Sequence, residues 1–322
     1  MGYLRALSVS QQIGLLFVAL FGVLLLATVV AFTRTLREQT PAQQARHERR
    51  KRDLRAVWVG AVLFWLAWAS GTFVSILLFG VLSFLALREF VTLTHTRRAD
   101  HRSLLLAFFV VLPLQYITVG AEHFDFFTVF IPVYVFFAIP VVSAFGNDPQ
   151  RFLERTAKIQ WGIMVCVYGM SHAPALLLLD LPKYEDRGAF LVFFLVVVVA
   201  VAQIVQEAAS RVLRRRPVAP AISLSFSWRA WLSGAAAAGL VGALLYWATP
   251  FKPIPALVMG VLAGASGTLG ELVMKALKRD AGVHNWGGQP SVTGAVGLLD
   301  RVAALCFAAP VFFHSVRWYF GF

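Results

Sequence analysis

The sequence predicts an all-α integral membrane protein of about ten transmembrane helices, with cytoplasmic loops forming the site. Three observations carry this expectation. Of 322 residues, 59% are hydrophobic and 14% charged, whereas soluble domains are roughly 45–50% apolar and about 25% charged. The mean hydropathy is +0.72. The basic residues alternate along the chain as the two faces of a membrane demand. A disordered chain, a coiled coil and an ordinary soluble enzyme are excluded. The net charge of +13 would point a soluble protein to nucleic acid. Here it suits basic cytoplasmic loops, and an anionic ligand such as a lipid phosphate or nucleotide is compatible with them.

A spanning helix needs about 20 mainly apolar residues. Ile13–Phe32 opens the series; it is too long for a signal peptide and lacks a small-residue cleavage site. Thr33–Arg55 is Gln/Arg-rich and reads either as a cytoplasmic helix or linker against anionic headgroups, or as a plain solvated loop. Ala56–Ser70 is short, and only Ser70-Gly71 separates it from Thr72–Leu87. Arg88-Glu89 then reads as a wet helix end. Leu104–Gly120 and Phe126–Phe145 flank Glu122, His123 and Asp125, a solvated turn by this reading, although a metal site is conceivable. Gln160–Leu179 carries His172 and Pro174, expected as a kink with a back-bonded histidine. Ala189–Gln206 ends with Gln203, Gln206 and Glu207 on one helix face, suited to a site or to helix–helix contact. Ala230–Thr249 follows, then the Gly/Ala-rich Ile254–Val273, which suits close packing, and Leu298–Val316. Cys166 and Cys306 lie in apolar runs without a CxxC, so neither a disulfide framework nor zinc is expected.

The loops after spans one, three, five, seven and nine carry eight, three, three, five and three Lys or Arg, and the other side carries five. This places both termini outside and the basic loops in the cytoplasm, as in a bacterial-type inner membrane. The chain is read as N-terminal transmembrane helices over 1–188 and a C-terminal catalytic-type region over 189–322.

The stretch Gly264–Arg301 stands apart. Glu271, Lys275 and Lys278 are spaced by four and three residues and share a helix face. A loop with Gly282, Gly287, Gly288, Gly294 and Gly297 follows, and Asp300-Arg301 opens the last span. Two carboxylates at adjoining helix ends, with basic side chains and glycines between, suit a metal-bound phosphate. The same charges also suit ordinary wet helix ends.

These residues resemble the signature of the phosphatidate cytidylyltransferase (CDP-diacylglycerol synthase) family. Gly270-Glu271 stands for its Gly-Asp, Lys278-Arg279-Asp280-Ala281-Gly282 for its Lys-Arg-x-x-Gly, and Gly297-Leu298-Leu299-Asp300-Arg301 for its Gly-x-x-Asp-Arg. Upstream, Ile222 to Arg229 followed by Gly234 is similar to the family's Ile-Ser-Pro-x-Lys-Thr-Trp-Glu run. The resemblance spans Phe190–Val316. It departs at Lys275 (family Ser), His284-Asn285 (Lys-Asp), Ala295-Val296 (His-Gly), Ala303 (Asp), Phe226 (Lys), Arg229 (Glu) and Gln203 (an acid).

The resemblance implies transfer of CMP from CTP to phosphatidic acid or a related lipid phosphate, with release of pyrophosphate. It implies Mg²⁺ held by Glu271 and Asp300, with Lys278, Arg279 and Asp300 as the catalytic set. Arg214, Arg215, Arg216, Ser223, Ser227, Arg229, Lys275, His284 and Arg301 are the expected substrate contacts. Arg214–Arg216 also read as a positive-inside anchor, and His284 as a residue of a wet loop. The expected partners are CTP, the lipid phosphate and membrane lipids, not nucleic acid, and a homodimer is allowed. The alternative is a catalytically silent relative that binds lipid or a partner enzyme.

Overall fold

The computed structural model describes residues 7–35, 41–94, 96–181, 184, 187–213, 216–282 and 297–321, and the described residues contain helices and no strands. The helices are α1 (Val9–Thr35), α2 (Pro41–Ser70), α3 (Thr72–Thr92), α4 (Arg98–Gly120), α5 (Phe124–Ala144), α6 (Phe152–Leu178), α7 (Gly188–Leu213), α8 (Trp228–Leu244), α9 (Pro253–Asp280) and α10 (Leu298–Phe320). Each predicted span falls on one of them. Eight are long and apolar enough to cross a membrane. The apolar part of α2, Val57–Ser70, is shorter. So is the 17-residue α8, which a 3₁₀ turn at Tyr246–Ala248 follows after Leu245.

The ends follow local chemistry. Ser8 and Gln11 form a reciprocal cap for α1: Ser8 N–H donates to Gln11 Oε1 (3.0 Å) and Gln11 N–H to Ser8 Oγ (3.3 Å). Gly71 takes the left-handed φ of 91° that breaks α2 from α3. Ser227 Oγ accepts from Ala230 N–H to start α8. Pro253 starts α9, where a missing N–H costs nothing. Helices α4, α5 and α6 contain wide π-type turns at Ala107–Val111, Phe130–Val135 and Met164–Gly169. The first precedes Pro113, where the bond to the Phe109 carbonyl is lost, and the second contains Pro132. In α6, His172 Nδ1 donates to the Tyr168 carbonyl (2.7 Å), the back-bonded histidine expected beside Pro174.

The chain forms two units, 1–71 and 72–322. Within the first, α1 and α2 carry an aromatic cluster of Phe17, Phe21, Trp58 and Trp65, and Trp58 Nε1 donates to Thr28 Oγ1 (3.0 Å). The stretch read as helix, linker or loop is helical from Pro41. Within the second, α3 to α6 share one core with α9 and α10, including Leu87, Phe90, Ile131, Ile163, Met274, Leu299 and Cys306. Both cysteines are buried. Helices α7, α8 and α9 approach through small residues. A Cβ on Gly234 would meet the Ala202 carbonyl at 2.6 Å, and one on Gly260 the Ala238 carbonyl at 2.6 Å. This is the close packing expected of the Gly/Ala-rich span.

A candidate phosphate site where α7, α9 and α10 meet

The last turn of α9 and the first turn of α10 lie side by side because glycines on α9 admit α10. A Cβ at Gly267 would stand 3.0 Å from the Ala304 carbonyl, and one at Gly270 would collide with Phe307 Cγ at 2.1 Å. The electrostatics of the ends agree. Lys278 and Arg279 occupy the C-terminal turn of α9 and Asp300 the N-terminal turn of α10, each the sign that the helix dipole favours. Gly297 opens α10 with a left-handed φ of 77°.

On this frame the sequence-expected carboxylates are each paired. Glu271 Oε1 lies 2.7 Å from Lys275 Nζ, its i+4 neighbour, and Glu271 Oε2 accepts from Gln203 Nε2 of α7 at 3.0 Å. Asp300 Oδ1 pairs across the helices with Lys278, a lysine only 8% exposed. The polar face of α7 therefore divides. Gln203 reaches the site, whereas buried Gln206 lies at the contact with α8, its Cβ 3.1 Å from where a Gly234 Cβ would stand. Glu207 pairs with Arg211 in the open.

The remaining expected contacts are dispersed. Arg279, Arg301, Arg216 and Arg229 are exposed. Ser223 is buried with its Oγ 3.2 Å from Ser225 Oγ, and Ser227 is committed to capping α8. Arg214, Arg215, His284 and most of the glycine loop lie outside the described residues. Two departures from the family pattern acquire a physical meaning. Ala303 is 2% exposed and packs in the core with Met274 and Leu299. Phe226, 2% exposed, stacks edge-on with Trp228 (5.9 Å). Apolar packing occupies both positions where the resemblance has a charge.

One residue of this neighbourhood was misread. Glu89, expected at a wet helix end, is 3% exposed, and its Oε2 accepts from the Leu298 backbone N–H at 3.0 Å. A carboxylate of α3 thus caps the helix that bears Asp300. Nothing local in the sequence separates this role from an ordinary helix end, because the contact bridges 209 positions.

The donor set fits a hard divalent cation. Mg²⁺ is commonly bound by one or two carboxylates, with substrate phosphates and water completing its shell. Among the described residues no three His, Cys, Asp or Glu gather as a metal cage, so two carboxylates and the substrate would share the task.

The fold defines an all-α integral membrane protein in which α9 and α10 each carry a carboxylate paired with a lysine. Residues 50–319 match the Cytidylyltransferase family. The chain belongs to that family, and membership supports a CTP-utilising transferase. It is 32% identical over 305 residues to uncharacterized protein YnbB of Escherichia coli (strain K12), covering 93% of this chain and 96% of that one. It is also similar to a phosphatidate cytidylyltransferase of Synechocystis sp. (strain ATCC 27184 / PCC 6803 / Kazusa), 35% identical over 86 residues, 26% of this chain and 28% of that one.

Proposed function

We propose that the protein transfers CMP from CTP to phosphatidic acid, or to a related lipid phosphate, giving a CDP-lipid and pyrophosphate. The observation that carries this reading is the pair of lysine-partnered carboxylates, Glu271 in the last third of α9 and Asp300 in the first turn of α10. They stand where the family signature has its acids. The name of the Synechocystis relative supports phosphatidate as the acceptor.

In this reaction a lipid phosphate oxygen attacks the α-phosphorus of CTP, a new P–O bond forms, and the bond to pyrophosphate breaks. Catalysis of this kind is mostly positioning and charge neutralisation. Glu271 and Asp300 would hold Mg²⁺, which when bound supplies Lewis-acid neutralisation of the phosphates. Lys278 and Lys275, already at the carboxylates, neutralise phosphate oxygens as the nucleotide enters. Arg279 and Arg301 stand exposed at the rim, where a triphosphate arriving from the cytoplasm meets them. Gln203, amide rather than acid, orients Glu271 by hydrogen bonding and adds no negative charge. In this reading the basic loops face the cytoplasm of a bacterial-type inner membrane.

The buried Ala303 and Phe226 favour one second reading, a silent relative that binds nucleotide or lipid without turnover. Purified protein given CTP, phosphatidic acid and Mg²⁺ separates the two. CDP-lipid and pyrophosphate that vanish in Asp300→Asn support the transferase. Binding of CTP with no product supports the silent relative.

A further inference from the structure

The geometry points to Glu89 as a positioning residue that sets the Asp300 carboxylate from α3, a helix outside the signature. This rests on the proposed role of Asp300 in holding a divalent cation. Three observations support it. Glu89 is 3% exposed, beside the core residues Ala86, Leu87 and Phe90 of its own helix. Burying a carboxylate is costly unless its surroundings compensate. The compensation is specific: Oε2 accepts from Leu298 N–H at 3.0 Å, the first residue of α10, where the helix dipole favours negative charge. Asp300 is the third residue of the same turn, so fixing Leu298 fixes the backbone that carries Asp300.

The other contacts described for that turn are less rigid. Gly297 before it has no side chain to cap the helix, and no side-chain cap is made there. Lys278 reaches the Asp300 carboxylate from α9 through a long, flexible side chain. Leu299 and Ala303 anchor the inner face of α10 in the core, but apolar contacts do not set the rotation of its first turn to fractions of an ångström. The Glu89 carboxylate, held where the C-terminal part of α3 packs into the core beside Leu87 and Phe90, does. Helix α3 thereby contributes a polar contact to a site otherwise built by α7, α9 and α10.

The test is Mn²⁺ binding followed by electron paramagnetic resonance on the full-length protein in detergent, alone and as Glu89→Leu and Glu89→Gln. Leucine matches the size and cannot accept the Leu298 hydrogen bond. Glutamine can accept it and lacks the charge. Mn²⁺ affinity is expected to fall at least ten-fold in Glu89→Leu and to stay within about three-fold of the unaltered protein in Glu89→Gln. If Glu89→Leu does not fold, Glu89→Asp replaces it, since its carboxylate is one methylene too short to reach Leu298. A purely structural role would lower the melting temperature of the folded variants and leave the affinity of the folded fraction unchanged. Equal affinity in Glu89→Leu, a loss in Glu89→Gln as large as in Glu89→Leu, or no Mn²⁺ binding by the unaltered protein would each overturn the inference. Binding is read without turnover. Mn²⁺ binding with the expected pattern but no CDP-lipid therefore defeats the proposed reaction and leaves the role of Glu89 standing.

Discussion

Gly270→Ala is the substitution that most directly probes how the site is assembled. A Cβ at this position would lie 2.1 Å from Phe307 Cγ, 2.3 Å from Phe307 Cβ and 2.5 Å from Phe307 Cδ2. Non-bonded carbons rest at about 3.5–4.0 Å, so one of the two helices must yield by roughly 1.5 Å. Swinging Phe307 about its Cα–Cβ bond relieves the contacts with Cγ and Cδ2. It leaves the contact with Phe307 Cβ, which moves only with the backbone. Overpacking of this kind costs about 1–3 kcal/mol. The functional cost is larger, because Glu271 is the next residue and Asp300 is on the helix being pushed. A misplacement of about 1 Å lowers a rate on the order of 100-fold. The assay is CDP-lipid formation from CTP, phosphatidic acid and Mg²⁺, with thermal melts of the same preparations. Gly80→Ala is the control: its nearest new contact, Tyr116 Cγ, would be at 3.7 Å, an ordinary distance, and its rate is expected to stay within two-fold. Wild-type rate and melting temperature in Gly270→Ala would refute the idea that the close α9–α10 approach sets the two carboxylates.

Arg155, 5% exposed, links Asp100 (3.6 Å) and Asp148 (2.9 Å) and donates to the Asp148 carbonyl (2.6 Å). Arg155→Met removes the cationic partner of the buried Asp100, which keeps only its bond from the Arg97 N–H (2.9 Å) among the contacts described, and a loss of about 3 kcal/mol is expected in thermal or denaturant melts; a loss below about 1 kcal/mol would contradict this reading. Asp148 lies in the loop between α5 and α6, where the N–H of Gln150, then Arg97 and Arg155, hold its carboxyl below the ordinary carboxylate range against the opposing effect of burial. A depressed folded value contributes stability at neutral pH that is lost as pH falls through it. Hydrogen exchange of residues 145–151 is therefore expected to stay slow down to about pH 4 and to rise below that, and Asp148→Asn is expected to remove the step. Ser227→Ala removes the cap of α8 and should cost about 1 kcal/mol, read as a lower melting temperature with unchanged CTP affinity. Weaker CTP binding at unchanged stability would instead place Ser227 at the substrate.

Much of the fold was legible because it depends on local composition. Ten apolar runs became ten helices, and Gly71 ended α2 where the sequence placed the break. The lengths were less legible. The helix containing Ala56–Ser70 starts at Pro41, because an Arg/Gln-rich segment can be helical without any apolar periodicity. The shared face of Glu271, Lys275 and Lys278 followed from helical spacing, and the Lys275–Glu271 pair is its consequence. The partners that come from elsewhere could not be read. Gln203 left two readings open until α7 was seen against α9. Glu89 showed only a charge at the end of an apolar run, and its meaning depends on α10 packing above it. Arg155 likewise counted as one more basic loop residue, whereas it is a buried clamp. Positive-inside counting registers charge and is blind to burial.

Asp300, set in the first turn of α10 and paired with Lys278, is proposed to serve CTP-dependent transfer to a lipid phosphate. The most direct test is to incubate the purified protein with CTP, phosphatidic acid and Mg²⁺ and to quantify CDP-lipid and pyrophosphate beside Asp300→Asn. Equimolar CDP-lipid and pyrophosphate are expected from the unaltered protein, and at least a 100-fold lower rate from Asp300→Asn. No CDP-lipid from the unaltered protein, or the same rate in both, would contradict it.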